Sequence, residues 1–258
     1  MSKKTFLTII GVLFTCVIAN SASANLVAWY QFEGNANDSS GNGYNASFQG
    51  GATTVNDSQR GQVLTLNGTT AYASCPTSFS SVTGTNHKTI MAWVKSNVAS
   101  YSDVTRARII TLYRASDSST GFSLTCEGNL STYSSLYRTS NNYKWFDSGM
   151  NVAANAWVHV ALVQNGTQVN YYINGILMNS ANDGGIPYIS NAVNATIGAY
   201  VYNSSGFDFF NGRIDDVRIY NNALSQQDIQ AIIPEPASLI LLALGGLLLR
   251  KKSAGNNL

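Results

Sequence analysis

Along the middle of this chain apolar and polar positions alternate in short runs, each closed by Asn, Asp, Gly or Ser, and no run of helical period exceeds three turns. Alternation with period two suits a strand, because successive side chains point to opposite faces. The clearest run is Trp157 to Gln164, in which Trp157, His159, Ala161 and Val163 fall on one face and Val158, Val160 and Leu162 on the other. Both faces are largely apolar, which predicts a strand central to a two-sheet sandwich. Asn165-Gly166 follows, then Gln168 to Ile173, then Asn174-Gly175 and Ile176 to Met178. Asn-Gly supplies the positive φ values that a two-residue hairpin turn needs, so this segment reads as a meander. Near the end, Ser225-Gln226-Gln227-Asp228 has the form of a capping box and predicts one short helix through Ile232. The fold class is therefore all-β, a two-sheet antiparallel sandwich or jelly roll, with an N-terminal signal helix and a C-terminal hydrophobic helix outside it.

Two apolar runs fall outside that pattern. Phe6 to Ala19 follows Lys3 and Lys4 and is itself followed by Ser21-Ala22-Ser23-Ala24, a small-residue cleavage site. The run is shorter than the ~20 residues that cross a bilayer, so residues 1–24 read as a signal peptide and the mature chain is expected to begin at Asn25. At the other end, Pro234-Glu235-Pro236 precedes Ala237 to Leu249, and Arg250-Lys251-Lys252 close the run. The prolines break the domain and the basic cluster marks a cytoplasmic side. This three-part tail, residues 234–258, resembles the PEP-CTERM sorting signal, although Ser253 to Leu258 continue past the basic cluster where that family's tails usually stop. The resemblance implies transient insertion of 237–249 in the inner membrane and recognition by an exosortase-type enzyme. It also implies delivery to the cell envelope or extracellular matrix of a Gram-negative bacterium.

Residues 25–233 remain, enough for one sandwich domain and too few for two. The chain has 15 basic and 13 acidic residues, but five of the basic ones and Glu235 lie in the two ends. The domain thus carries 10 basic and 12 acidic residues, a net of −2, and the basic pI of 8.4 belongs to the ends. That argues against nucleic acid as a partner. With 11% charged residues and many Ser, Thr, Asn, Gly and Tyr, the surface suits sugar hydroxyls better than ionic ligands. Cys75 and Cys126 are the domain's only cysteines, and the sequence leaves open whether they form a disulfide.

Five segments carry a family resemblance: LVAWYQFEGNANDSSGNGYNA, VLTLNGTTAYASCPTS, TIMAWVKSN, WVHVALVQNGTQVNYYINGIL and GRIDDVRIYNNALSQQDI. In this order they resemble laminin-G-like jelly-roll domains of the concanavalin A-like lectin/glucanase superfamily, over nearly all of Leu26 to Ile232. The resemblance implies that the first and last segments lie side by side. It also implies that Trp157 is buried and that His159 is a packed, hydrogen-bonded core histidine.

Asp38-Ser39-Ser40-Gly41-Asn42-Gly43 is a tight loop rich in oxygen, which reads either as a wrap for calcium or as an Asx-rich turn needing no metal. In the resembled family this loop and the segment matching Gly212 to Asp216 can hold a structural calcium ion. That implies Asp38 and Asp215 as side-chain ligands, helped by the carbonyls of Gly41 and Tyr44 and the amide oxygen of Asn42.

Catalysis finds little support. A glycosidase needs two carboxylates facing one cleft, yet Glu33 and Glu127 are the domain's only glutamates and the E-x-D-x-x-E motif of the glucanases is absent. Asp215 and Asp216 are sequential on a predicted strand, so they are expected on opposite faces. No enzyme activity is expected. Aromatic residues are the remaining ligand candidates, in two clusters among Ser and Asn. Tyr143 and Trp145 represent one, beside Tyr133 and Tyr137, and Tyr202 and Phe207 the other, beside Tyr200, Phe209 and Phe210. The expected function is a non-catalytic binding or adhesion module for glycan or a matrix component. The alternatives are a structural surface protein without specific sugar binding, and, last, a glycoside hydrolase.

Overall fold

The computed structural model describes residues 26–76, 86–99, 106–114, 121–127, 132–139, 142–151, 153–182 and 193–233. Within these, residues 114, 127, 132–139, 142–146 and 193–194 are described by their backbone alone. The expected signal segment and sorting tail lie outside the described residues.

The strands in chain order are β1 (Leu26–Tyr30), β2 (Ser47–Gln49), β3 (Thr53–Asp57), β4 (Gly61–Asn67), β5 (Tyr72–Ser74) and β6 (His87–Ser96). Then come β7 (Ala107–Arg114), β8 (Gly121–Glu127), β9 (Thr132–Thr139), β10 (Asn142–Asn151), β11 (Trp157–Asn165), β12 (Gln168–Ile173) and β13 (Ile176–Asn182). The chain closes with β14 (Val193–Ile197), β15 (Tyr200–Tyr202), β16 (Ser205–Phe207), β17 (Asn211–Tyr220) and one helix, α1 (Gln226–Ile232). The first sheet runs β13-β12-β11-β6-β17-β4-β3, with β1 also on β17, and the second runs β10-β9-β8-β7-β14-β5-β2. β15 and β16 form a separate hairpin.

β11 is central, as its two apolar faces predict: it pairs with β6 on one side and β12 on the other. Val158, Val160 and Leu162 face the second sheet, where they meet a core that includes Ile110, Leu112, Phe122, Leu124 and Ile197. Ala161 and Val163 face outward under α1, with Met91, Tyr172, Tyr220 and Ile229. A sheet buried on one face only would leave these residues in water. The helix removes them, and fully burying a side chain such as Ile229 is worth ~1.5–3 kcal/mol. Its start is the expected capping box, with Ser225 accepting from the Asp228 N–H and Asp228 accepting from the Ser225 N–H.

β17 holds the two ends of the domain together. Its first half, Asn211 to Ile214, pairs with β4 and its second half, Val217 to Tyr220, pairs with β1, so the first and last segments are neighbours. Between the halves β17 carries one residue more than β6, since Asp215 sits opposite Trp93 and Arg218 opposite Met91. Asp216 takes the left-handed conformation (φ 49°) that this bulge requires. The surplus residue lets Ile214 and Val217 both face the core. Asp215 and Asp216 therefore share the outer face, and the expectation of opposite faces, which assumed an unbroken pleat, is corrected.

Cys75 and Cys126 are both buried free thiols. Burial pushes the Cys75 thiol up to about 12, and Cys126 higher still.

Candidate binding site

Outside the second sheet, the β15–β16 hairpin roofs a cleft. Its turn, Asn203-Ser204, has φ of 47° and 64°, the two positive values of a hairpin turn that matches strand twist. Asparagine tolerates this well. Serine does so at a cost, which persists only where the surroundings fix the backbone. They do so from both ends of the hairpin. Tyr200 packs edge-on against Tyr113 of β7 with ring centres 5.3 Å apart. Beyond β16, Asp208 pairs with Arg108 at 3.0 Å and accepts its backbone N–H at 2.8 Å. Phe209 lies against Tyr72 of β5 and fills the space beside Gly206 so fully that a Cβ there would sit 2.3 Å from its ring.

The cleft beneath has a volume of about 310 Å³, at the lower end of ligand pockets. Tyr72 and Ser74 of β5, Tyr113 of β7, Thr196 of β14, and Tyr202, Asn203 and Ser204 of the roof line it. Tyr202 is 37% exposed while also lining the cleft. Aromatic faces beside hydroxyl and amide groups can stack an apolar ring face and bond its hydroxyls together, and no described lining residue carries a charge.

Tyr202, one of the expected ligand-contact residues, lines this cleft. Phe207, 49% exposed, is on the same hairpin but is not among the cleft's lining residues. Tyr143 and Trp145 are on β10, at the far edge of the second sheet, separated from β7 by β8 and β9, and their side chains lie outside the described residues. Sequence reasoning missed Tyr72, Ser74 and Thr196. The signal for Tyr72 and Ser74 was the alternation Tyr72-Ala73-Ser74, which puts Ala73 in the core and its neighbours outside.

The loop at Asp38 is closed by donors. Asp38 Oδ1 accepts from the N–H groups of Trp29 and Ser40, and Oδ2 from Ser40 Oγ and the Tyr44 N–H. Burial pushes this carboxyl up, but these bonds outweigh it and hold it below the ordinary value. The Tyr44 carbonyl accepts the Tyr30 hydroxyl at 2.7 Å, and Asn42 donates its amide to the carbonyls of Leu26 and Val27. Asp215 is held by the Arg60 guanidinium at 2.6 Å. As placed, Asp38, the Tyr44 carbonyl and Asp215 already have N–H, O–H or guanidinium partners, which a calcium ion bound there would have to displace. Gly41 serves the turn itself, with φ of 89°. Among the described residues no group of three or more His, Cys, Asp or Glu side chains is gathered at one point.

Asp215 and Asp216 instead open on a second, shallower cleft of about 220 Å³ with Trp29, Glu33, Arg60 and Arg218. Asp216 accepts from Trp29 Nε1 and from Arg218, whose guanidinium lies 4.5 Å over the Trp29 ring. Arg60 similarly covers the Trp93 ring at 4.4 Å. Burial pushes the Asp215 carboxyl up to about 6 in spite of Arg60. Next to this, Asp57 gathers Arg213 (2.6 Å), Lys95 (3.3 Å) and Trp157 Nε1 (3.1 Å). Trp157 is therefore half-buried on the outer face, not in the core, because the pleat that sends Val158 inward sends Trp157 out. His159 is buried as expected, edge-on to Trp93 at 5.4 Å, but its Nδ1 has no partner among the described residues, and burial holds its imidazole down to about 3.

The sequence pattern of the Laminin_G_3 family, described as the concanavalin A-like lectin/glucanases superfamily, matches residues 67–230, from the end of β4 into α1. The chain belongs to this superfamily. Among curated protein sequences none matches it. Solved structures agree with the superfamily's sandwich fold. Domain 4 of AbnA, a GH43 extracellular arabinanase from Geobacillus stearothermophilus solved with arabinotriose, aligns with a TM-score of 0.64 at 21% identity. That alignment covers 80% of this chain and 97% of the other. The binding domain of Paraclostridial Mosquitocidal Protein 1 aligns at 0.65 and 16% identity over 81% of this chain and 52% of its own, so the present lectin-like domain spans about half of it. The binding domain of botulinum neurotoxin DC in complex with SialylT aligns at 0.63 and 16% identity, over 81% and 51%.

Proposed function

We propose that this protein is a non-catalytic carbohydrate-binding module whose site is the cleft under the β15–β16 hairpin. The observation that carries the reading is Tyr202, half-exposed on a hairpin pinned at both ends, above a floor of Tyr72, Ser74 and Thr196. A rigid aromatic edge loses little conformational entropy when a sugar ring stacks on it. The fold's neighbours add support: the arabinanase domain was solved with arabinotriose, the neurotoxin DC binding domain with SialylT, and cell entry of botulinum neurotoxin type C depends on interaction with two ganglioside molecules. Against catalysis, Asp215 and Asp216 share a cleft with Glu33, but each is engaged by a guanidinium.

The module is exported after loss of residues 1–24, and its tail 234–258 is handled by an exosortase-type enzyme at the inner membrane before release to the envelope or matrix. Intact mass of the protein from its host tests this, and a mass for all 258 residues refutes it. A glycan array probed with the full chain tests the site. Specific retention is expected, reduced at least tenfold by Tyr202→Ala in a protein with unchanged melting. Retention that survives Tyr202→Ala refutes this cleft. A structural surface protein predicts no retention at all, and that result would favour it.

A further inference from the structure

We infer that the cleft under the β15–β16 hairpin takes an uncharged saccharide and excludes acidic ones. This rests on the carbohydrate-binding reading above and narrows its ligand class. A sugar carboxylate is recognised most strongly by a guanidinium or an ammonium, and neutral hydroxyl and amide donors alone make up its lost hydration only in part. The described lining supplies none of the cations. Tyr72, Ser74, Thr196, Tyr202, Asn203 and Ser204 offer hydroxyls, one amide and aromatic faces, and Cys75 at the edge is kept neutral by burial.

Arg108, at the hairpin's footing, is not free to serve. Its side chain is 7% exposed, bound to Asp208 at 3.0 Å and lying under the Tyr200 ring at 5.7 Å. Releasing it would unpin the hairpin that forms the roof. The stretches outside the described residues add no cation between 26 and 233: 77–85, 100–105, 115–120, 128–131, 140–141, 152 and 183–192 contain no Lys, Arg or His, and their only charges are Asp103, Asp117 and Asp183, while Arg114, Arg138 and Lys144 on β7, β9 and β10 are described by their backbone alone. The domain's net charge of −2 adds a weak repulsion for polyanions.

Polygalacturonate and the galactan made from it by carboxyl reduction give a matched pair of probes, and arabinan serves as a second neutral polymer. The full chain in mild detergent is run by affinity electrophoresis against each, from about 0.05 to about 0.5 M salt, where screening removes long-range electrostatics. Retardation by a neutral polymer is expected, at least tenfold stronger than by the carboxylated one, insensitive to salt and lost in Tyr202→Ala. Ser74→Lys, which adds a cation to the floor, is expected to raise affinity for the carboxylated polymer and make it salt-dependent. Equal or stronger retardation by the carboxylated polymer overturns the inference and leaves a carbohydrate site standing. No retardation by any of the three polymers, together with an empty glycan array, overturns the carbohydrate reading itself.

Discussion

Asp57 is the most heavily shared anion on the outer face of the first sheet, and replacing it tests how that face is held. The residue is 3% exposed and ends β3 at a turn that returns through Arg60 and Gly61. Oδ2 accepts from Arg213 and Lys95, and Oδ1 from the Gln59 N–H at 3.0 Å and from Trp157 Nε1. Asp57→Asn keeps the shape and Oδ1 but turns an NH₂ toward two cations. Hydrogen bonds to charged groups are worth ~1.5–3 kcal/mol each. Arg213 is 34% exposed, however, and recovers much of its hydration, so the total loss is about 3 kcal/mol. For a domain of this size that lowers Tm by ~6–12 °C. The pH dependence has a definite sign. Burial pushes the Asp57 carboxyl up, but its four donors outweigh burial and hold it well below its ordinary 3.8. Its contribution is complete above that value and is lost as pH falls through the folded-state value. Urea unfolding of both proteins from pH ~7 down to pH ~2 measures this. A difference below ~0.5 kcal/mol at neutral pH, or one that does not shrink in acid, would refute the account of Asp57 as the common acceptor.

Two further outcomes follow from the same face and the adjoining loop. Asp215 is an acid raised by burial from 3.8 to about 6, so it withholds stability as pH rises through that window, with a ceiling of about 3 kcal/mol at ~1.4 kcal/mol per pH unit. Asp215→Asn should remove that loss and make urea-derived stability climb more steeply between pH ~4 and ~6, where neutral buried His159 already favours the higher pH; an unchanged slope sinks the argument. Because Asp38 already accepts four hydrogen bonds, EDTA or millimolar calcium is expected to move Tm by less than ~1 °C, and a rise of several degrees with calcium would show that the loop rearranges around the ion.

Features set by neighbours in the chain were legible in the sequence. The two apolar faces of β11, the turns at Asn165-Gly166 and Asn174-Gly175, and the capping box at Ser225 depend on residues a few positions apart, so period and turn chemistry reveal them. Tyr202 was legible for the same reason, as an aromatic beside Asn-Ser turn residues. The cleft was not, because β5, β7, β14 and the hairpin meet only when the second sheet assembles, and Tyr72, Tyr113 and Thr196 look ordinary until then. Asp57 joins partners up to 156 positions away, and no local pattern marks it. The bulge at Asp215 and Asp216 is a surplus of one residue counted against β6. A surplus exists only relative to a partner strand, so the face on which Asp216 emerges was decided by pairing and not by the sequence of β17 alone.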